Sequence, residues 1–154
     1  MDPNPDDFTD IDAVRRLKAN AERLGRPDIA DACRRRIFVL GGSDEMLPVE
    51  RRLWQAVAAY EQTLFEKHGK AQKASYTRRK IKEKGAVQTL SDWAESPKVT
   101  PGFKALVDAG MAEFTGEYVV VEFADQFSDE AVAAARKKLV QAGLSESDMP
   151  FKDT

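Results

Sequence analysis

Apolar residues recur every three or four positions along most of the chain, the spacing typical of amphipathic helices. Two such stripes come first, over Ile11–Leu24 and Ile29–Leu40. Asp10 can accept hydrogen bonds from the free amides of the first helix, and Pro27 suits the first turn of the second. We therefore predict a helical hairpin at the start of the domain.

The next apolar stripe is longer and predicts the central helix of the core. It begins at Pro48, runs to about His68 and ends at Gly69, a residue that tolerates the backbone conformation of a helix end. The apolar positions hold a near-heptad spacing, at Val49, Leu53, Val57, Tyr60 and Leu64.

Two short helices should follow, separated by Gly85. The first spans Ser75–Lys84, with Ser75 as its predicted cap, and the second carries Val87, Leu90 and Trp93. Only Tyr76 and Ile81 are strongly apolar in the first, so it can bury only a thin edge.

The C-terminal part begins after a polar connection at residues 96–100, where we place a candidate internal boundary. Thr100-Pro101 has the pattern of a helix start, and Ser128 is positioned to cap a final helix that ends near Ala142.

One segment, Met111–Gln126, fits two structures. The run Tyr118–Phe123 is β-branched and aromatic, which favours a strand. Its apolar residues do not alternate, however, and no second strand-like run lies nearby to pair with it. We favour a helix and keep a short strand as the alternative.

The pattern as a whole predicts an all-α or predominantly α domain of six to seven helices. This single domain spans residues 10–144, between flexible tails at 1–9 and 145–154. A chain of 154 residues is long enough to bury a substantial core.

Composition narrows the function classes. No stretch approaches the roughly 20 apolar residues of a membrane span, and the acidic N-terminus lacks the features of a secretory signal, so we expect a cytoplasmic protein. Cys33 and His68 are the only cysteine and histidine. We therefore expect no disulfide, metal site or cofactor, and no enzymatic activity based on Cys, His or Zn.

Charge is distributed unevenly along the chain. Between Glu66 and Lys84, eight Lys or Arg face two Glu, which leaves six net positive charges in this stretch. Since the whole chain carries −2, the remainder carries eight net negative charges. We call Lys67–Lys84 the basic segment.

The basic segment has the composition of a phosphate-binding surface. Lys and Arg neutralise phosphates, hydroxyls donate to phosphate oxygens, and an aromatic ring can pack on a sugar or base. We therefore expect a nucleic-acid-binding protein that contacts the backbone of DNA or RNA. The candidate contact residues are Lys70, Lys73, Tyr76, Arg78, Arg79, Lys80, Lys82 and Lys84.

Other interpretations compete with this one. The basic segment could be an ordinary solvated helix face, or could dock on an acidic protein partner, which would make the chain an adaptor, a regulatory subunit or a self-associating homo-oligomer. A conventional helix-turn-helix is disfavoured, because its second helix would carry Asp92 and Glu95 towards the DNA. Cys33, on an apolar stripe, and the two tryptophans are expected to be core residues.

Overall fold

The computed structural model describes residues 2–43, 46–70 and 73–150. These residues form eight α-helices and no strand. The helices are α1 (Ile11–Arg23), α2 (Pro27–Leu40), α3 (Pro48–His68), α4 (Ser75–Lys84), α5 (Ala86–Glu95), α6 (Pro101–Asp108), α7 (Gly116–Glu122) and α8 (Asp129–Gln141). The predicted fold class is confirmed, with one helix more than the upper predicted number.

Side chains cap several helices where the sequence predicted caps. Asp10 accepts a hydrogen bond from the Asp12 amide at 3.0 Å, and Thr100 and Ser128 each accept one three residues further on, at 3.1 Å. At the end of α3, Gly69 has φ +75° and donates to the Phe65 carbonyl at 2.8 Å. These local contacts define where α1, α6, α8 and α3 begin or end.

The start of α4 differs from the prediction, because Ser75 does not cap it. Ala74 is the residue that precedes the first turn, and its side chain makes no capping bond. The Ala74 amide donates instead to Glu61 Oε2 of α3, at 2.7 Å. A residue distant in sequence therefore holds the backbone just before α4, where a local side-chain cap was expected.

Helix α3 separates two hydrophobic clusters, in agreement with its predicted central position. Leu53 and Val57 belong to the first cluster, with residues of α4 to α8, and Ala59 belongs to the second, with residues of α1 and α2. Helix α6 also contributes to both, through Phe103 and Leu106. The α1–α2 hairpin thus packs on one side of α3, and the remaining helices form the other side of the core.

The ambiguous segment is helical, so the alternative of a strand at Tyr118–Phe123 is wrong. The Thr115 hydroxyl accepts from the Tyr118 amide at 3.2 Å and starts α7. Three consecutive valines of α7 are at most 2% exposed, namely Val119, Val120 and Val121. A helix buried on several sides shows no amphipathic period, which explains why the pattern was inconclusive.

Parts of both predicted tails pack against the helices. Pro5 is buried and Phe8 packs on the second cluster, while Met149 is 4% exposed within the first. The flexibility of the two ends stays a prediction, and Met1 and residues 151–154 lie outside the described residues. None of the helices described here has the length and apolarity needed to cross a membrane.

Candidate nucleic-acid interface

Helix α4 packs on the protein through one narrow edge. Ile81, which is 9% exposed, belongs to the first hydrophobic cluster, and Thr77 and Arg78 lie on the same side of the helix. The opposite side, with Tyr76, Arg79, Lys82 and Glu83, is exposed. The helix that carries most of the basic segment therefore lies against the body and turns a polar face outwards.

Arg78 fastens α4 to α3. Its Nε and Nη2 donate to the two carboxylate oxygens of Glu61, at 2.7 and 2.6 Å, and its guanidinium lies 5.2 Å from the centre of the Trp54 ring. Burial raises the pKa of Glu61, but the hydrogen bonds from Arg78 and from the Ala74 amide outweigh it, so the pKa is lowered overall. The pair therefore stays ionised, and Arg78 is directed towards the protein.

Lys80 is directed inwards in the same way. Its ammonium lies 2.6 Å from Asp92 of α5, and the Lys80 side chain is 16% exposed. The pKa of Asp92 is lowered, first by the hydrogen bond from Lys80 and then by one from Gln88. Two of the eight predicted contact residues are therefore occupied in holding α4 on the protein.

The other cations of the basic segment remain exposed. No carboxylate of the described residues lies within 4.0 Å of their charged groups. Among the described residues of the basic segment, the ion pairs within this distance are those of Arg78 and Lys80. These exposed cations are Lys67, Lys70, Lys73, Arg79, Lys82 and Lys84. We call this group the cationic face; positions 71 and 72 between its members lie outside the described residues.

Two further side chains modify the cationic face. Tyr76 is 75% exposed, so its ring is available to pack on a partner. Glu83 is also exposed, one turn beyond Arg79, and reduces the positive charge of the outer side of α4. The role of Tyr76 as a contact residue stays a prediction, and Glu83 gives a single residue whose neutralisation should strengthen binding to an anion.

Helix α5 does not have the charge of a recognition helix. One side of it is buried, at Thr89, Leu90 and Ala94, and packs on the protein. Its outer side includes Val87 and Glu95, and α5 contains no Lys or Arg that could contact DNA. The pair α4–α5 is therefore a poor match to a conventional helix-turn-helix.

The arginine run on α2 does not extend the cationic face. Arg34 pairs with Glu66 at 3.1 Å, Arg35 with Glu113, and Arg36 donates to the Phe8 carbonyl at 2.9 Å. The neighbouring Cys33 is fully buried, and burial raises the pKa of its thiol, which disfavours the reactive thiolate.

The sequence did not predict the two carboxylates that determine which cations of the basic segment are paired and which stay exposed. Glu61 lies on the polar side of α3 and Asp92 on α5, and neither spacing nor composition links them to Arg78 and Lys80. The weak signal was that a helix with one buried apolar residue, Ile81, needs other contacts to hold it on the body.

The described residues contain no group of three or more His, Cys, Asp or Glu side chains that could hold a metal ion. A scan against protein-family models gave no match, and searches of curated proteins and of solved structures gave none either.

Proposed function

We propose that the protein binds nucleic acid through the phosphate backbone, with the cationic face as the contact surface. The observation that carries the proposal is the division of the basic segment. Arg78 and Lys80 pair with carboxylates of the body, while six other cations of the segment stay exposed. Three of these are on α4, two lie between α3 and α4, and Lys67 is at the end of α3. The three on α4 belong to a helix that is packed on the body, so ordering their backbone costs little on binding.

The dimensions of α4 suit a backbone contact. A ten-residue helix is about 15 Å long, and one strand of a duplex carries a phosphate about every 3.4 Å of its axis, so α4 spans roughly four phosphates. Arg79 and Lys82 lie on neighbouring turns of this helix and are positioned to contact successive phosphates. Tyr76 would pack on a sugar or an unpaired base.

Binding of this kind carries little sequence information. Lys side chains, which make up most of the cationic face, contact phosphates as point charges, and base recognition needs side chains that reach a groove. We therefore expect weak discrimination between sequences and a strong dependence on salt.

The rival function, an adaptor that docks through the apolar edge of α4, has less support. Ile81 is buried in the protein's own core, and Tyr76 is the one large apolar side chain of α4 that is exposed. The polar and charged surface that remains favours a phosphate-bearing partner.

The test is fluorescence anisotropy with labelled duplex and single-stranded oligonucleotides between about 50 and 200 mM salt. We expect an affinity that falls steeply with salt, with a slope of about −5 in a log–log plot if all six cations contact duplex phosphates. The variant Arg79→Gln/Lys82→Gln/Lys84→Gln should make this slope less negative by about 3. Glu83→Gln should bind more tightly than the unaltered protein.

A matched control removes three exposed cations outside the cationic face, with Arg16→Gln/Lys104→Gln/Lys137→Gln. This variant has the same net charge as the first, and it should keep most of the affinity. Equal losses in both variants would mean that overall charge, and not the cationic face, determines binding. No binding at 50 mM salt would exclude the proposal.

A further inference from the structure

A cavity of about 190 Å³ lies between α3, α5, α6 and the start of α7, with Thr77 of α4 at its edge. An apolar cavity of about 150 Å³ is large enough to hold benzene. The cavity therefore has room for one six-membered ring with a short substituent.

Aromatic side chains form much of the cavity wall, namely Tyr60, Trp93, Phe103 and Phe114. Glycines allow close packing behind two of these rings. A Cβ atom on Gly102 would lie 2.6 Å from Cδ1 of Tyr60, and one on Gly116 would overlap the ring of Trp93. Rings packed this closely against backbone have little freedom to move, so the cavity is already formed without a ligand.

The carboxylate in the wall is already paired within the protein. Glu117 accepts from Lys138 Nζ at 3.2 Å, and Lys138 also donates to the Trp93 carbonyl at 2.6 Å. Burial raises the pKa of Glu117. The nearby ammonium of Lys138 acts in the opposite direction but does not outweigh burial. Because this pair is neutral overall, Glu117 does not give the cavity a net negative charge that would attract an amine.

The charged group on the solvent side of the cavity is Lys98. It is exposed in the connection between α5 and α6, beside Ser96 and Thr100 in the lining. Within the described ranges, no carboxylate lies within 4.0 Å of its ammonium, in contrast to Lys80 and Lys138. The lining therefore combines an aromatic interior with one uncompensated positive charge at the solvent side.

We propose that this cavity binds a small aromatic carboxylate. The ring would lie between the aromatic walls, and the carboxylate would pair with Lys98. Aromatic walls with few, well-placed polar groups are typical of small-molecule sites. None of the residues that line the cavity belongs to the cationic face, so this proposal does not rest on nucleic-acid binding.

Benzoate is the probe for the first experiment, titrated at constant ionic strength while the indole N–H signals of Trp54 and Trp93 are followed by NMR. A Trp54→Phe variant assigns the two signals. We expect a saturable shift of the Trp93 signal with a Kd on the order of 1 mM, a reasonable affinity for so small a ligand. Benzyl alcohol should bind more weakly than benzoate, and benzylamine more weakly still.

Two lysine variants test the charge. Lys98→Gln should weaken benzoate binding about threefold to fivefold, the effect of losing one exposed ion pair, whereas Lys104→Gln, an exposed lysine outside the lining, should not. Ala56→Leu, which places a larger side chain in the lining, should abolish binding. If Ala56→Leu does not fold, the lysine comparison still decides the proposal.

Three results would overturn the proposal. One is the lack of a saturable shift of the Trp93 signal up to 50 mM benzoate, a concentration well above the expected Kd. Another is an equal affinity for benzyl alcohol and benzoate, which would show that the carboxylate does not contribute to binding. The third is loss of benzoate binding in Arg79→Gln/Lys82→Gln/Lys84→Gln, which would place the anion on the cationic face.

Discussion

Glu61 shows how one carboxylate can position a whole helix. It accepts from the Ala74 amide at 2.7 Å and from both arms of Arg78, so it holds the first turn of α4 through its backbone and through a side chain. The Glu61 side chain is 14% exposed and that of Arg78 is 39% exposed. Solvent therefore screens one side of the pair, and its contribution to stability is moderate.

We predict that Glu61→Gln lowers the free energy of unfolding by about 1 kcal/mol at pH 7. The amide can still accept from the Ala74 N–H, so the change removes mainly the charge. Because the folded protein lowers the pKa of Glu61 from 4.5, its ionisation stabilises the fold above about that pH, and this contribution is lost as the pH falls through the lowered value. The difference between variant and unaltered protein should therefore shrink in acid.

Urea unfolding at pH 7 and at pH 3 measures this effect. Glu95→Gln is the control, because Glu95 is exposed at the end of α5, and it should change stability by less than about 0.5 kcal/mol at either pH. An equal cost of Glu61→Gln at both pH values would show that its charge does not stabilise α4.

At the scale of the element, α7 packs closely on α5 because its first residue is a glycine, a role that the sequence pattern does not show. Gly116 is the first residue of α7, and a Cβ atom there would overlap the ring of Trp93 on α5. In most helices a glycine-to-alanine change is stabilising by roughly 0.5–1 kcal/mol. Here the absence of a side chain permits α7 and α5 to approach each other.

Gly116→Ala should therefore destabilise the protein, by about 1–3 kcal/mol, the usual cost of overpacking. Thermal or urea unfolding gives the value. The same change made in a Trp93→Leu background should cost much less, since the smaller side chain leaves room for the added methyl group. Stabilisation by Gly116→Ala in the otherwise unaltered protein would contradict the close approach of α5 and α7.

The sequence predicted most helix ends because they depend on neighbouring residues. Asp10, Thr100 and Ser128 cap amides only two or three positions away, and Gly69 ends α3 by its own backbone conformation. Where a distant residue acts, the prediction was wrong, as at Ser75. In α7, burial on several sides removed the period that a sequence pattern can show.

At the scale of the whole molecule, the uneven charge was readable from the sequence, but its geometry was not. Counting residues locates the positive charge in the basic segment. Which cations stay exposed depends on Glu61 and Asp92, which lie on other helices and approach Arg78 and Lys80 only in the fold. Arg78 was one of the predicted contact residues, and its pairing with Glu61 leaves Arg79 and Lys82 as the better candidates on α4.

The two hydrophobic clusters share helices, which has a consequence for unfolding. Helices α3 and α6 each contribute side chains to both, so neither cluster can lose its packing without disturbing a helix of the other. We therefore predict that the protein unfolds as one cooperative unit, in spite of the polar connection at residues 96–100.

The chain contains a natural probe for each cluster. Trp54 and Trp93 pack on the first, and Cys33, the single cysteine, is fully buried in the second. Urea unfolding followed by tryptophan fluorescence and by pulsed alkylation of Cys33 should give the same midpoint. Leu106→Ala, which removes a buried side chain of the second cluster, should cost roughly 2–5 kcal/mol and lower both midpoints equally. Alkylation of Cys33 at a urea concentration where the tryptophan signal is still native would instead show that the α1–α2 side unfolds independently, and the shared helices would not couple the two clusters.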